Sequence, residues 1–269
     1  MDLDNILKIS NDGRNVSLDP RLANLDKPET SRAATVAGEI MRIHRDTADN
    51  VYVSPDTKAP MDRTGGLQIV FCDRGTPKAG QSFSMYTAIR DELIDQGMDP
   101  AAIRFIHDAR TAEERLRLFD QCNRGEVSVL IGSTEKMGTG TNVQTRAVAL
   151  HHVDVPWRPA DLEQREGRAI RQGNQNAEVE IINYVTEGSF DTFMWQKVEA
   201  KAMFIEQIKR NEIDATEVDD IGGEFTASAA ETKAASTGDS RYIQQVKLTD
   251  EVARLDALER SHFDAIARR

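Results

Sequence analysis

With 269 residues, 39% of them hydrophobic and 29% charged, the chain is long enough for one sizeable α/β core with extensions. No stretch approaches the run of about 18 apolar residues that a membrane-spanning helix needs, and the N-terminus MDLDNILKISNDGR carries acids where an export signal carries bases, so a cytoplasmic protein is expected. The net charge of -11 argues against an all-round basic surface, yet residues 211–240 hold eight acids (Glu212, Asp214, Glu217, Asp219, Asp220, Glu224, Glu231, Asp239) against Lys233, which leaves only -4 on the other 239 residues and allows a local basic groove.

Residues 1–30 combine Asn11-Asp12-Gly13, Asp19-Pro20 and Lys27-Pro28 with little periodicity, which predicts an irregular lead-in. Thr30 or Ser31 is placed to cap a helix to about Arg45, with Ala34, Val36, Ile40, Met41 and Ile43 as its apolar stripe. A polar loop follows at 46–66. From Leu67 short apolar runs alternate with amphipathic segments. Strands are expected at 67–72, 103–107, 127–131, 147–153 and 179–185, and helices at 84–96, from Thr111 to about Gly125, and at 161–171. Thr111-Ala-Glu-Glu114 has the spacing of a capping box, and Gly125 that of a helix stop. Buried strands joined by such helices imply an α/β fold whose mostly parallel sheet is covered on both faces.

Ser189 is placed to cap a long helix to about Arg210, with Phe190, Phe193, Met194, Val198, Met203, Phe204 and Ile208 on its apolar side. The expected organisation is a lead-in with one helix at 1–66, the α/β unit at 67–188, a packing helix at 189–210, an acidic linker or arm at 211–240 and a brace helix at 241–269. Cys72 and Cys122 are far apart with no ligand-spaced partner, so buried reduced thiols are expected and no metal site. His107, His151 and His152 fall at strand ends and read as core or surface histidines. Trp157 reads as a packing anchor.

Two segments carry chemistry. Residues 130–143, Leu-Ile-Gly-Ser-Thr-Glu-Lys-Met-Gly-Thr-Gly-Thr-Asn-Val, follow the third expected strand, where α/β folds bind ligands, and glycine-bearing turns offer backbone N–H groups to oxygens. In residues 157–173, Arg165, Arg168 and Arg171 recur every three residues, so on one helix their guanidiniums would crowd unless anions or carboxylates attend them. A solvated face paired with Asp161, Glu163 and Glu166 is the plain structural alternative.

Together the segments resemble superfamily 2 helicases and translocases. Gln164-x-x-Gly167-Arg168-x-x-Arg171 is similar to motif VI, and Ser133-Thr134-x-x-x-Gly138-x-Gly140-x-Asn142 to motif V of the Swi2/Snf2 branch. Ile69 to Phe71 resembles the motif IV strand, and 105–119 a segment that grips the nucleic-acid backbone. The wording of 132–143 and 156–168 resembles large helicase and DNA-methyltransferase fusion proteins of phages and conjugative elements. Gly167 stands where Swi2/Snf2 proteins carry Asp.

The resemblance implies a RecA-like three-layer sandwich, the second lobe of an ATP-dependent DNA helicase or translocase, with RNA not set aside. It implies that ATP and Mg²⁺ sit between this lobe and an N-terminal RecA-like lobe of the same protein, with a linked DNA methyltransferase domain as a further partner and no membrane. By the same resemblance Arg168 and Arg171 offset charge growing on the γ-phosphoryl group, and Gln164 orients their helix or touches the phosphate chain. Gly138, Gly140, Thr141 and Asn142 would meet the nucleotide. Nucleic-acid phosphates would fall to Arg74, Thr76, Asp108, Arg110, Thr111, Ser133, Thr134 and Lys136. No G-x-x-x-x-G-K-[ST] occurs in the chain, and Asp91-Glu92 lies in an amphipathic segment, so the chain by itself is expected to be inactive. The alternative is a non-catalytic RecA-like module kept for docking.

Overall fold

The computed structural model describes residues 6–55, 57–78, 80–137, 142–210 and 248. Five strands form one all-parallel sheet: β1 (Leu67–Phe71), β2 (Ile103–Phe105), β3 (Val129–Gly132), β4 (Ala147–His152) and β5 (Glu180–Asn183). Their order is β2-β3-β1-β4-β5, so the chain leaves β1 for one edge, returns beside it, then crosses to its other side. The central strand β1 is buried at every residue, as a strand covered on both faces must be, whereas the edge strand β5 is largely exposed.

Successive residues of β1 and β3 divide between two cores because strand side chains alternate. On one face, Val70, Val129 and Ile131 pack with α2 (Arg32–Asp46) and α3 (Met85–Asp95). On the other, Leu67, Ile69, Phe71 and Leu130 meet Leu118, Phe119 and Cys122 of α4 (Ala112–Arg124). The result is a three-layer RecA-like α/β sandwich. Thr111 Oγ1 accepts from the Glu114 N–H at 3.1 Å while the Glu114 carboxylate accepts from the Thr111 N–H at 3.0 Å, completing the expected capping box. Gly125 ends α4 at φ +80°, and the place its Cβ would take is occupied by the Arg146 guanidinium. Both cysteines are buried and free.

Two local expectations fail. The lead-in is not irregular: α1 (Ile6–Leu18) runs through Asn11-Asp12-Gly13. Propensity is overridden by docking, since Ser17 and Leu18 are buried and Arg14 donates to the Val155 carbonyl at 2.7 Å. Arg32, buried at the start of α2, donates to the carbonyls of Ser17 and Val153 and pairs with Asp191, which binds α1 and α2 to α6 (Phe190–Arg210) and to the end of β4. The region before β1 therefore holds two helices rather than one. The helix expected at 161–171 is also shorter: α5 spans Pro159–Glu166, and the chain turns at Gly167, whose N–H bonds the Glu163 carbonyl at 2.9 Å. The acidic stretch expected at 211–240 and the final helix expected at 241–269 lie outside the described residues, Leu248 apart.

His151 and His152 end β4 with no exposed surface. His151 lies between the Tyr184 hydroxyl (2.8 Å) and Gln68 Oε1 (3.0 Å), while Gln68 donates to the Ile40 carbonyl. That chain puts the His151 proton on Nε2. Burial pushes both imidazoles down to about 3, so they fold neutral. Below pH 6.5 the unfolded chain binds protons that the folded chain refuses, and stability is expected to fall from there toward pH 3 by up to about 1.4 kcal/mol per pH unit for each histidine. Denaturant titrations between pH 7 and 5 measure this, and a flat profile there overturns it.

Candidate functional site

At the carboxyl end of the sheet the ends of β1, β3 and β4 meet α5 around one side chain. Arg165, 0% exposed, pairs with Asp73 (2.7 Å) and Asp154 (3.1 Å), donates to Thr134 Oγ1 (2.7 Å) and to the Asp154 carbonyl (3.0 Å), and lies over the Phe71 ring. Asp154 also accepts from the N–H groups of Asp73 and Arg74, at 2.7 and 2.9 Å. Burial works against the Arg165 charge, but Asp154 and Asp73 outweigh it and hold the guanidinium more firmly protonated than usual. Of the three evenly spaced arginines, the first is thus a structural tie between strands, paired with acids remote in sequence rather than with its helix neighbours. Asp73 and Asp154 carry no motif that marks them; their only sequence signal is an acid just after an apolar run.

Two open clefts of about 480 and 490 Å³ lie beside this tie and share Asp73, Thr76 and Asp161. The first is lined by Arg14, Arg74, Lys78 and Trp157, among others, and the second by His107, Ser133, Thr134, Lys136, Arg158 and Gln164. The structure brings Arg74, Thr76, Ser133, Thr134 and Lys136 together along one groove. Asp108, Arg110 and Thr111 are exposed but line neither cleft, and the Thr111 hydroxyl is engaged as the α4 cap. The Thr134 hydroxyl is likewise engaged, by Asp73 and Arg165. Arg74 donates to Asn11 Oδ1 and Asn15 Oδ1, both at 2.7 Å, so α1 holds it in place. Burial, then neighbouring Arg14, pushes its guanidinium down to about 10. Trp157, expected as a packing anchor, is 39% exposed with the Arg14 and Lys201 cations over its ring. Gln164 lines the groove, away from the other two residues grouped with it.

Those two, Arg168 and Arg171, sit in the turns after α5, near the opposite end of the sheet. The chain there is fastened to the first residue of β4, the Asn174 amide donating to the Ala147 carbonyl at 2.9 Å. Arg171 is exposed and donates to Asn142 Oδ1 at 3.0 Å. Arg168 is half-buried, and burial followed by the Arg171 charge depresses its guanidinium. Met137 and Val143, flanking the glycine loop, and Ala169, between the arginines, belong to the same apolar core on one face of the sheet. Gly138, Gly140 and Thr141 lie outside the described residues. Among the described residues, no three His, Cys, Asp or Glu side chains are placed to hold a metal ion, and no helix is long and apolar enough to cross a membrane.

Residues 61–173, which span the groove, the glycine loop and the arginine turn, match the model of the helicase conserved C-terminal domain. That stretch of the chain is similar to a helicase C-terminal domain. The chain is 28% identical over 185 residues to defense against restriction protein B of Escherichia phage P1, a match covering 64% of this chain and 8% of that protein. It is 35% identical over 98 residues to the uncharacterized ATP-dependent helicase YqhH of Bacillus subtilis (strain 168), covering 36% of this chain and 16% of that one. The chain thus spans a small fraction of the length of the curated proteins it matches, one of them from a phage. Among solved structures, the C-terminal part of the Fun30 ATPase domain aligns at a TM-score of 0.47 and 16% identity, covering 63% of this chain and 45% of that one.

Proposed function

We propose that this chain is the second lobe of an ATP-dependent DNA helicase or translocase, in which Arg168 and Arg171 complete an ATP site whose phosphate loop and Mg²⁺ ligands come from a first lobe of the same protein. The observation that carries this reading is the 3.0 Å bond from Arg171 to Asn142, which joins the two motif segments on one face of the sheet. Burial and then the neighbouring Arg171 charge work against the Arg168 guanidinium, so a polyanion placed between the two would be favoured. Mg²⁺ would neutralise the β- and γ-phosphate oxygens. This chain's part is to present Arg168 and Arg171 to the γ-phosphoryl oxygens, with Asn142 holding Arg171 on the nucleotide side.

The groove at the other end of the sheet supplies the nucleic-acid contacts in this reading. Lys136 and Ser133, with the Thr76 hydroxyl, can hold phosphates without reading sequence. Gln164, on the groove wall, would orient α5 and with it the turn that carries Arg168 and Arg171. Linkage to a DNA methyltransferase domain belongs to the same proposal.

Two measurements test the reading. The isolated chain should hydrolyse no ATP above background, whereas the two-lobed protein should do so when DNA is added; turnover by the isolated chain that disappears in Arg168→Ala would overturn the shared site. For DNA binding, Lys136→Ala should weaken affinity about equally for all sequences and lower the salt-dependence slope by about 1. An unchanged slope removes Lys136 from the interface.

A further inference from the structure

The segment just after Arg171 uses its amides in an unusual concentration. Asn174 Nδ2 donates to the carbonyls of Ala147 (2.9 Å) and Ala169 (3.0 Å), and Asn174 Oδ1 accepts from the Asn176 N–H at 2.8 Å. Asn176 Nδ2 donates to the same Ala147 carbonyl at 3.1 Å, and Asn176 Oδ1 accepts from the Tyr52 hydroxyl at 2.8 Å. Gln175 pairs with both backbone polar groups of Val53, at 2.9 and 2.7 Å. Ala169 lies between the two arginines, and Ala147 opens the strand five residues beyond Asn142. Three consecutive side chains therefore tie the arginine turn to the strand that follows the glycine loop, and anchor both to the loop at 47–66.

We propose that Asn174 and Asn176 form a clasp that positions Arg168 and Arg171 for the nucleotide without touching it. The proposal rests on the reading of those arginines given above. The physical need is plain. Both arginines lie beyond the end of α5, in turns where the N–H groups of Arg168, Ala169 and Ile170 still bond the carbonyls of Arg165 and Glu166, but the exposed Arg171 side chain is held, among the described residues, by its bond to Asn142. An exposed bond of that kind is too weak to hold a guanidinium to within an ångström. Misplacement by about 1 Å can cost on the order of 100-fold in rate. The clasp adds rigidity by bonding the Ala169 carbonyl, between the arginines, to a side chain that also grips β4. Tyr52 is fully buried, with Arg146 over its ring, so the far side of the clasp has a rigid footing.

The test is done in the two-lobed protein with DNA-stimulated ATP turnover. Asn174→Ala and Asn176→Ala should each lower kcat by about 10- to 100-fold, with KM for ATP little changed. On an Arg171→Ala background each should cost less than it does alone, because only the share that acts through Arg168 remains. Ile89→Val, a mild core change on the opposite face of the sheet, controls for stability and should leave kcat unaltered. Unaltered kcat in both clasp variants overturns the proposal. So does an equal fractional loss on the Arg171→Ala background, which is the mark of general damage to the fold. If Arg171→Ala itself turns over like the parent, the reading beneath the clasp fails, and the clasp with it.

Discussion

Arg165→Ala should destabilise the α/β domain by about 3–5 kcal/mol, the range for removing one partner of a buried ion pair. The substitution strands Asp154, 5% exposed, and leaves Asp73 without its strongest partner. It also empties a space bounded by Phe71, Thr134 and His152. Since domains of this size are stable by only about 5–15 kcal/mol, such a loss shifts the urea midpoint severely. Arg165→Lys should recover little, because a point ammonium cannot serve two carboxylates, a hydroxyl and a carbonyl together. Asp154→Asn should cost less, since one amide oxygen still accepts from the Asp73 and Arg74 N–H groups. A loss below about 1 kcal/mol for Arg165→Ala, in the range of exposed pairs, would show that the tie is not what joins β1, β3 and β4 to α5.

The second large effect is kinetic. In the two-lobed protein, Arg168→Ala and Arg171→Ala should each reduce ATP turnover by about 10³- to 10⁵-fold, the scale of an arginine that neutralises charge on a transferring phosphoryl group. Arg171→Ala should move the urea midpoint little, because its side chain is exposed and its bond to Asn142 is a surface contact. DNA affinity should persist, since the groove with Thr76, Ser133 and Lys136 lies at the other end of the strands. Arg171→Lys should recover only part of the loss, having no planar fork to offer phosphate oxygens. Turnover within a few fold of the parent in both alanine variants would leave the arginine turn without a catalytic role. Arg165→Ala lowers turnover too, but only together with stability, and that pairing separates the structural arginine from the other two.

What the sequence determined by itself is whatever rests on local periodicity and short-range hydrogen bonding. The apolar runs that became β1, β3 and β4 were legible because a strand buried on both faces needs a continuous apolar stretch. The Thr111–Glu114 box and the Gly125 stop were legible because both are satisfied within four residues. The two motif segments were legible by resemblance, and residues 61–173 match the family model. The tertiary structure decided everything that depends on a distant partner. Helix α1 forms through an Asn-Asp-Gly turn signal because Arg74, about sixty residues on, bonds Asn11 and Asn15. Arg165 differs from Arg168 and Arg171 only in its neighbours, Asp73 and Asp154, and a periodic triplet on one expected helix carries no sign of them. The helix ends at Glu166, which sends the later arginines toward Asn142 while Gln164 stays on the groove. A carboxylate 92 positions away makes one guanidinium a rivet, because in a buried site the cost of an unpaired charge selects the partner, and that partner is chosen by the fold rather than by sequence spacing.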